Sequence, residues 1–299
     1  MSETIKIAVI GLDTSHAVEF PRLIQDPKTD DALRVNGLKV TRCLRFRTPF
    51  QSDAGLNQRQ EYLESIGVEV TEDFERAVGD CDAVSININD PSRHLEFFEK
   101  CAKLGKRIFL DKPVAEDLTA AAAICRCARE NNVEFFSSSA LRFDLDFVAG
   151  CSRNPAPDTL HVWGPVGKAA ACSAIVWYGV HSFEMLQRGM GPGAAAVTTI
   201  PDRKGYVCHV DYYDGRRGIV ELTSGDGFGA LFRSFGKPGD LVTVTGKVPF
   251  YCCLLNEVRD FFQGGKSPVD VESSFEVMAM LDAAERSAAS GRKEVVYTR

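Results

Sequence analysis

The sequence predicts an α/β protein: an N-terminal doubly wound parallel sheet, then a C-terminal α+β domain with a mostly antiparallel open sheet. As far as about Ser137, apolar runs of strand length alternate with helical segments, which is typical of parallel strands joined by helices. Beyond about Ser139, short turns join successive strands, which indicates antiparallel pairing. Because 299 residues exceed a usual single core, we expect two domains, at residues 1–138 and 139–299.

The first domain opens in the manner of a Rossmann domain. An apolar run at residues 5–10 predicts the first strand, and Gly11 leads into a helix at about residues 15–25, which Pro21 is expected to disturb. Further strands are predicted at residues 38–44, 68–70, 83–88 and 133–137, with another immediately before Asp111 and Lys112. Helices are expected around residues 58–66, from residue 71 onward, at 92–104 and from 117 or 119 to 131.

The second domain begins with a stretch rich in proline and glycine at residues 155–167, which indicates a loop-rich entry, and His161 within it falls on a presumed strand. A helix is predicted at about residues 178–188, and strands follow at 197–200, 205–213, 218–224, 230–235 and 241–245, with Asp214 and Gly215 as a hairpin turn. Helices at residues 251–263 and 271–289 precede a last short strand at 294–297. An open sheet of this kind leaves one face that needs a cover.

Charge and composition exclude several classes of function. The formal net charge of −6 argues against a surface for nucleic acid or for an anionic membrane. The N-terminus lacks the pattern of a signal peptide, and no apolar run approaches the length of a membrane span, so we expect a cytoplasmic protein. The ten cysteines include no Cys-x-x-Cys pair, and we therefore predict neither a disulfide framework nor a metal site.

Lys112 is the strongest candidate for chemistry. An apolar strand runs directly into Asp111 and Lys112, and Pro113 then ends the strand because proline has no N–H to donate. The carboxyl ends of parallel strands are where ligands bind in open sheets. The preceding strand, turn and helix, with Asn89 in the turn and His94 near the helix start, complete a βαβ unit.

This order of motifs resembles the Gfo/Idh/MocA oxidoreductases, whose pattern is strand, proline turn, histidine, helix, Gly-Lys, apolar strand and Glu-Lys-Pro. Asp111 stands here in place of the usual glutamate. The resemblance continues through almost the whole chain, with residues 177–185 similar to the active-site helix of the family. It implies an NAD(P)-dependent oxidoreductase that acts on a sugar, polyol or similar small hydroxylated compound by hydride transfer. It also implies homodimers or homotetramers formed through the C-terminal sheet.

The expected nucleotide loop departs from the Gly-x-Gly-x-x-Gly pattern of the family and resembles one branch of it. We assign to cofactor binding the loop residues Gly11, Leu12, Asp13, Thr14, Ser15 and His16. Asp13 and His16 replace the second and third glycines. A carboxylate beside a diphosphate costs free energy, unless Asp13 turns away to cap the helix through the amides of Thr14 or Ser15.

The second strand ends in arginines where NAD-specific enzymes carry an acid. Arg45 or Arg47 can meet a 2′-phosphate, which slightly favours NADP over NAD, although both side chains can equally be solvated loop charges. The resemblance further assigns to the cofactor pocket Asn89, His94, Asp111 and Lys112. His94 is expected to anchor the loop under the nicotinamide rather than to take part in catalysis.

The catalytic residues implied by the resemblance are Lys112, His181 and Tyr178. Lys112 would stabilise a developing alkoxide and relay a proton, whereas an isolated lysine at this place would simply pair with Asp111. His181 would act as the general base, although a histidine near a helix start can also merely pack or form a hydrogen bond. Tyr178 is a substitute for an aspartate that the family carries where Trp177 stands here.

The expected substrate-binding residues are Arg142, His181 and Glu184. His181 and Glu184 share a helix face, and Arg142 lies near the domain junction, where it can clamp a carboxylate or phosphate or form an interdomain salt bridge. The departures at Asp13 and Trp177 leave two alternatives open. One is a regulatory small-molecule-binding protein without catalysis, and the other is a lyase or hydrolase that uses transient oxidation by a tightly held cofactor.

Overall fold

The computed structural model describes residues 4–168, 172–225 and 227–297. The chain divides into two compact units. The first unit consists of Met1–Val114, Ala122–Ser137 and Tyr251–Asp270, and the second of Ala115–Ala121, Ser138–Phe250 and Val271–Arg299. Within the described ranges, no helix has both the length and the apolar character that are needed to span a bilayer.

The elements alternate in the first half and become rich in strands in the second. The strands are β1 (Ile5–Ile10), β2 (Leu38–Leu44), β3 (Glu69–Thr71), β4 (Ala83–Ile86), β5 (Arg107–Leu110), β6 (Phe135–Ser137), β7 (Thr159–Pro165), β8 (Ala194–Pro201), β9 (Gly205–Tyr212), β10 (Arg217–Thr223), β11 (Gly229–Arg233), β12 (Asp240–Thr243) and β13 (Glu294–Val295). The helices are α1 (His16–Gln25), α2 (Asp53–Ser65), α3 (Phe74–Val78), α4 (His94–Ala102), α5 (Leu118–Glu130), α6 (Leu145–Arg153), α7 (Ala174–Trp177), α8 (Val180–Met190), α9 (Phe250–Phe262) and α10 (Val271–Ser290).

The first unit contains a six-stranded parallel sheet, which confirms the predicted doubly wound architecture. Its strand order is β3-β2-β1-β4-β5-β6, and each neighbouring pair is parallel. The central strands are buried except at the first one or two residues of β1 and β5, as their apolar runs require. The order reverses between β1 and β4, which is the topological switch point where ligands bind beyond the strand ends in such sheets.

Helix α9 packs against the parallel sheet although it lies far along the chain. Phe261 meets Phe136 of β6 edge to face at a ring-centroid distance of 5.1 Å, and Phe136 in turn lies 5.2 Å from Phe109 of β5. The guanidinium of Arg107 donates hydrogen bonds to the carbonyls of Phe261 and Gly265. These contacts account for the inclusion of Tyr251–Asp270 in the first unit.

The second unit contains a seven-stranded, mostly antiparallel sheet, as predicted, with the order β12-β11-β7-β10-β9-β8-β13. Within the stretch 155–167, which was expected to be rich in loop, Thr159–Pro165 forms strand β7, which contains His161 as presumed and pairs in parallel with β10 and antiparallel with β11. Its residues alternate between half-buried and buried positions. This two-residue period is typical of a strand and is kept despite the glycine and proline near its end.

Two helical expectations also need correction. Helix α1 continues through Pro21 from His16 to Gln25 without interruption, and the proline side is buried, so packing of its apolar face outweighs the missing hydrogen bond. The helix expected at residues 178–188 is observed as α8, whereas the short helix α7 before it and helix α6 were not anticipated from the sequence.

Candidate functional site

The nucleotide loop begins with a glycine that no other residue can replace without strain. Gly11 has a φ of +103°, and a Cβ built on it would lie 2.5 Å from the carbonyl oxygen of Asn87. Its N–H donates to the carbonyl of Leu44 at 3.1 Å. The loop is therefore packed closely against the residues that follow β4, at a position where only glycine fits.

Asp13 turns inward rather than toward the helix amides. Its Oδ1 accepts a hydrogen bond from the N–H of Asn89 at 3.1 Å, and the residue is 2% exposed. The expectation that its carboxylate caps the helix through Thr14 or Ser15 is wrong. The Thr14 hydroxyl has that role instead, since it accepts from the N–H of Ala17 at 3.2 Å. Burial raises the pKa of Asp13, and the hydrogen bond from Asn89 only partly offsets this.

Asp13→Asn is expected to stabilise the protein at neutral pH, because it removes a buried charge and keeps an oxygen for the Asn89 N–H. A raised pKa in the folded state contributes stability below the ordinary carboxyl range and loses it as pH rises. The free energy of unfolding of the variant should exceed that of the wild type at pH 8, and the difference should be smaller at pH 5. Urea unfolding across this range measures the difference, with the exposed helix cap Asp73→Asn as the control. A difference that does not change with pH would contradict the inward burial.

Arg59 is a loop contact that the sequence did not reveal. It lies on α2, and its Nη1 donates to the carbonyls of Leu12 at 2.9 Å and Thr14 at 2.7 Å. Burial lowers the pKa of Arg59, whereas the charge of Asp13 raises it. Arg59 thus holds the loop through two of its backbone carbonyls. Its positive charge interacts with the negative charge of Asp13. A lone arginine in a polar helix carries no local signal of this role.

At the end of β2, Arg45 has no carboxylate partner among the residues that the structure describes. Its guanidinium donates to the side-chain oxygens of Gln60 at 2.6 Å and Asn57 at 2.7 Å, both of them neutral amides. Arg47 lies instead at 3.3 Å from Asp53 in an exposed ion pair. Of the two arginines considered from the sequence, Arg45 is therefore the one whose charge remains available to an anion.

Next to Arg45, an aromatic stack projects from the same strand end. Phe46 stacks on Phe97 of α4 with a centroid distance of 5.0 Å, and the guanidinium of Arg93 lies 4.4 Å from the centroid of Phe46. Arg93 also pairs with Glu96, which compensates its charge. The members of this stack are far apart in the chain, so no local sequence pattern predicts it.

The carboxylate of Asp111 is engaged by His16 and by the backbone, and not by the Lys112 ammonium. Oδ2 of Asp111 lies 2.6 Å from Nδ1 of His16, and Oδ1 accepts the N–H of Lys112 at 2.8 Å. Burial opposes ionisation of Asp111, but the charge and hydrogen bond of His16 outweigh it and lower the pKa of the carboxyl group to about 2. Among the residues that the structure describes, no hydrogen bond or ion pair holds the Lys112 ammonium.

His94 joins two segments of the strand edge. It is fully buried, with Nε2 at 2.9 Å from the carbonyl oxygen of Ile88 and Nδ1 at 3.2 Å from that of Val114. It therefore ties the turn after β4 to the segment that follows Lys112 and Pro113. This geometry fits the anchoring role that the resemblance implies for His94.

In the second unit, His181 has a hydroxyl partner. Its Nδ1 lies 2.7 Å from Oγ of Ser139, and that Oγ also accepts the N–H of Leu141 at 3.2 Å. Tyr178 touches His181 through its ring, edge to face at a centroid distance of 4.9 Å. Ser139 is a functional candidate that the sequence analysis passed over, since a serine in a run of three serines has no distinguishing pattern.

Arg142 and Glu184 form a buried ion pair inside the second unit. Nη1 of Arg142 lies 3.3 Å from Oε2 of Glu184, and Nη2 donates to Gln187 at 2.6 Å. Ser138 donates to the same carboxylate at 3.2 Å. Burial raises the pKa of Glu184, against the charge of Arg142. The charge of Arg142 is thus compensated before any ligand arrives, and its ion pair does not join the two units.

A search of the described residues for three or more histidine, cysteine, aspartate or glutamate side chains able to hold a metal ion finds no such group. The predicted cofactor residues, from the loop to Lys112, lie in the first unit. Tyr178, His181, Glu184 and Arg142 lie in the second.

Comparison of sequences connects the first part of the chain to a family. Residues 5–139 match the Gfo/Idh/MocA family model, described as an oxidoreductase family with an NAD-binding Rossmann fold. The match contains the loop, the turn with Asn89 and His94, and the strand that ends at Lys112. It supports the prediction of an oxidoreductase that binds NAD(P). None of the curated protein sequences compared with the chain matches it.

Solved structures share the fold over nearly the whole chain. Myo-inositol 2-dehydrogenase from Lactobacillus plantarum has a TM-score of 0.80 at 14% identity, with 99% of this chain and 100% of that chain covered. Apo scyllo-inositol dehydrogenase from Lactobacillus casei has a TM-score of 0.77 at 16% identity, with 99% of each chain covered. An oxidoreductase from Agrobacterium radiobacter in complex with NAD+, L-tartaric acid and magnesium has a TM-score of 0.76 at 16% identity, with 98% of each covered. At such identities the likeness establishes the fold.

Proposed function

We propose that the protein is an NAD(P)-dependent oxidoreductase that acts by hydride transfer on a polyol, sugar or similar small hydroxylated compound. The observation that carries the proposal is the Lys112 ammonium at the carboxyl end of β5. The carboxylate that would neutralise it, Asp111, is already held by His16. An ammonium in this position can stabilise the negative charge that develops on a substrate oxygen. The inositol dehydrogenases among the structural neighbours support a polyol substrate.

The loop has the features that a dinucleotide requires. Gly11 brings its backbone against β4, and Asp13 turns its carboxylate inward, so the free energy cost expected for a charge facing the diphosphate is reduced. The amides of residues 11–15 and the N-terminus of α1 would hold the diphosphate, and the turn anchored by His94 would border the nicotinamide. When bound, the nicotinamide supplies the hydride acceptor or donor.

NADP is the cofactor that we favour over NAD. The strand end that would meet the adenosine ribose carries Arg45, whose charge has only amide partners, and it lacks the acid that binds a ribose 2′-hydroxyl. A 2′-phosphate would compensate that charge. The neighbouring ring of Phe46 offers an apolar surface for the adenine.

His181 is the general base that we propose within the second unit. The Ser139 hydroxyl can donate to Nδ1 or accept from it, so Nε2 of His181 can either carry a proton or receive one. Both forms are needed by a residue that serves alcohol oxidation and carbonyl reduction. Tyr178 restricts the ring by its edge-to-face contact.

We further propose that the chain forms a homodimer or homotetramer through its C-terminal sheet. One cross-strand row on this sheet contains His209, Ile219, His161, Leu231 and Leu241, which face the same side because they pair directly. Leu241 is 65% exposed. A sheet face that mixes apolar and titratable residues is more favourably covered by a second copy of the chain than exposed to water.

Dinucleotide binding tests the proposed function. NADPH at about 100 times its dissociation constant should raise the free energy of unfolding by about 2.7 kcal/mol, and NADH at the same concentration by less. Thermal unfolding with each nucleotide measures this. Arg45→Leu should bring the NADPH effect down to that of NADH. Arg42→Leu is the matched control, since this arginine of the same strand is already paired with Glu69 and Asp80. No stabilisation by either nucleotide would remove the dehydrogenase proposal.

A further inference from the structure

His16 stands between a buried carboxylate and a phenol, both in the first unit. Its Nδ1 lies 2.6 Å from Oδ2 of Asp111, and its Nε2 lies 3.1 Å from the hydroxyl oxygen of Tyr251. Tyr251 is half-buried near the start of α9. Phe20 stacks on the imidazole at a centroid distance of 5.0 Å and 10° between planes, which fixes the ring plane.

We propose that Tyr251 is an acid–base residue of this protein and that His16 and Asp111 form the proton relay behind it. The Asp111 carboxylate accepts hydrogen bonds only, so it selects the tautomer of His16 with the proton on Nδ1. That tautomer leaves the lone pair of Nε2 directed at the Tyr251 hydroxyl. The order carboxylate, imidazole, hydroxyl is the arrangement by which proteins activate a hydroxyl group.

The relay moves protons alone. A substrate hydroxyl gives its proton to Oη of Tyr251 while the phenol proton passes to Nε2 of His16, and the imidazolium is stabilised by the Asp111 carboxylate. The reverse sequence delivers a proton to a substrate oxygen. Asp111 also accepts the N–H of Lys112, so the same carboxylate orients the relay and fixes the backbone of the lysine that we assign to charge stabilisation. If the relay serves alcohol oxidation, Tyr251 accepts the substrate proton in place of His181; this use rests on the proposed function, whereas the existence of the relay does not.

Other residues of the first unit show what a merely structural arrangement looks like. The ring nitrogens of His94 both meet backbone carbonyls, with no hydroxyl or carboxylate at either. The Tyr62 hydroxyl donates directly to the carboxylate of Asp26 at 2.7 Å, without an imidazole between them. The His16 arrangement, by contrast, joins a carboxylate, an imidazole and a half-buried phenol in a row.

Acetylation by N-acetylimidazole tests the relay without substrate or cofactor. The phenol oxygen bonds to the acetyl carbon while the bond from that carbon to the reagent imidazole breaks. The phenol proton is lost and the departing imidazole gains one. A base beside the phenol accelerates the reaction because it accepts the phenol proton during the attack. Mass spectrometry of peptides at pH 7.5 gives the rate at each tyrosine. Tyr213, which is 74% exposed, serves as the internal standard for accessibility. We expect Tyr251 to react faster than Tyr213 although it is less exposed.

His16→Gln should slow acetylation of Tyr251 by about 100-fold, the lower range of general-base assistance, and leave Tyr213 unchanged. Asp111→Asn should also slow acetylation of Tyr251, because the amide no longer selects the tautomer of His16. Circular dichroism verifies that each variant is folded. A wild-type Tyr251 that reacts more slowly than Tyr213, or folded variants with an unchanged rate, would overturn the relay. Reactive Tyr251 without nucleotide binding would leave the relay standing and remove the proposed dehydrogenase. Nucleotide binding with an unreactive Tyr251 would remove the relay and leave the proposed dehydrogenase standing.

Discussion

Arg142→Met is expected to lower the free energy of unfolding by about 3 to 5 kcal/mol, because it leaves the Glu184 carboxylate buried without its cation. Both side chains are almost completely inaccessible, and Gln187 and Ser138 complete the network around them. Chemical denaturation at pH 8 measures the loss. The expected loss is large because the Glu184 carboxylate that remains is almost completely inaccessible to water.

The same variant has a predicted dependence on pH. Burial already raises the pKa of Glu184, and the charge of Arg142 restrains it, so the pKa rises further when the cation is lost. A carboxyl with a raised pKa in the folded state contributes stability below its ordinary range and loses it as pH rises. The loss caused by Arg142→Met should therefore be smaller at pH 5 than at pH 8.

Arg153→Met provides the control for this prediction. Arg153 belongs to the same unit and pairs with Asp240 at 2.9 Å, but its side chain is 55% exposed. An exposed pair contributes about 0 to 1 kcal/mol, so this variant should change little. Equal losses in the two arginine variants would contradict the assignment of a buried, water-excluded network around Glu184.

Lys112→Met is expected to lower kcat by about 100-fold to 1,000-fold while dinucleotide binding is retained. The reason is that the ammonium stabilises the negative charge that develops on the substrate oxygen during the reaction. Removal of one such preorganised group lowers kcat by about this factor. Formation of NADPH or NADH at 340 nm, with the polyol that gives the highest wild-type rate, measures turnover. Thermal stabilisation by nucleotide measures binding independently.

The matched control is Lys100→Met on the exposed face of α4, where the lysine pairs with Glu96 at 2.7 Å. This variant should keep both turnover and binding. If Lys112→Met also kept full turnover, the lysine would be a surface charge and the observation that carries the proposed function would fail. If it lost binding together with turnover, Lys112 would serve to hold the cofactor rather than to stabilise charge on the substrate.

The sequence predicted the parts of the site that depend on local pattern. An apolar run followed by Lys112 and Pro113 places the lysine at a strand edge, because the end of the strand is set by the proline itself. The alternation of strands and helices likewise predicts a parallel sheet, and this sheet is observed.

The sequence did not predict contacts between distant segments. The carboxylate of Asp13 binds an amide 76 residues away, and His16 meets Asp111 and Tyr251 at separations of 95 and 235 residues. No periodicity or spacing specifies such partners, since they follow from the way in which strands and helices pack. The full extent of strand β7 was not predicted for a related reason, because its pairing with β10 and β11 outweighs the glycine and proline content near its end.

The most direct test of the central claim is an experimental structure of the protein with NADPH or NADH bound. We expect the diphosphate on the amides of residues 11–15 at the start of α1, with Asp13 still bonded to Asn89 and the 2′-phosphate of NADPH at Arg45. A dinucleotide bound elsewhere on the protein, or a loop that must expel Asp13 from its buried position before any nucleotide enters, would contradict it.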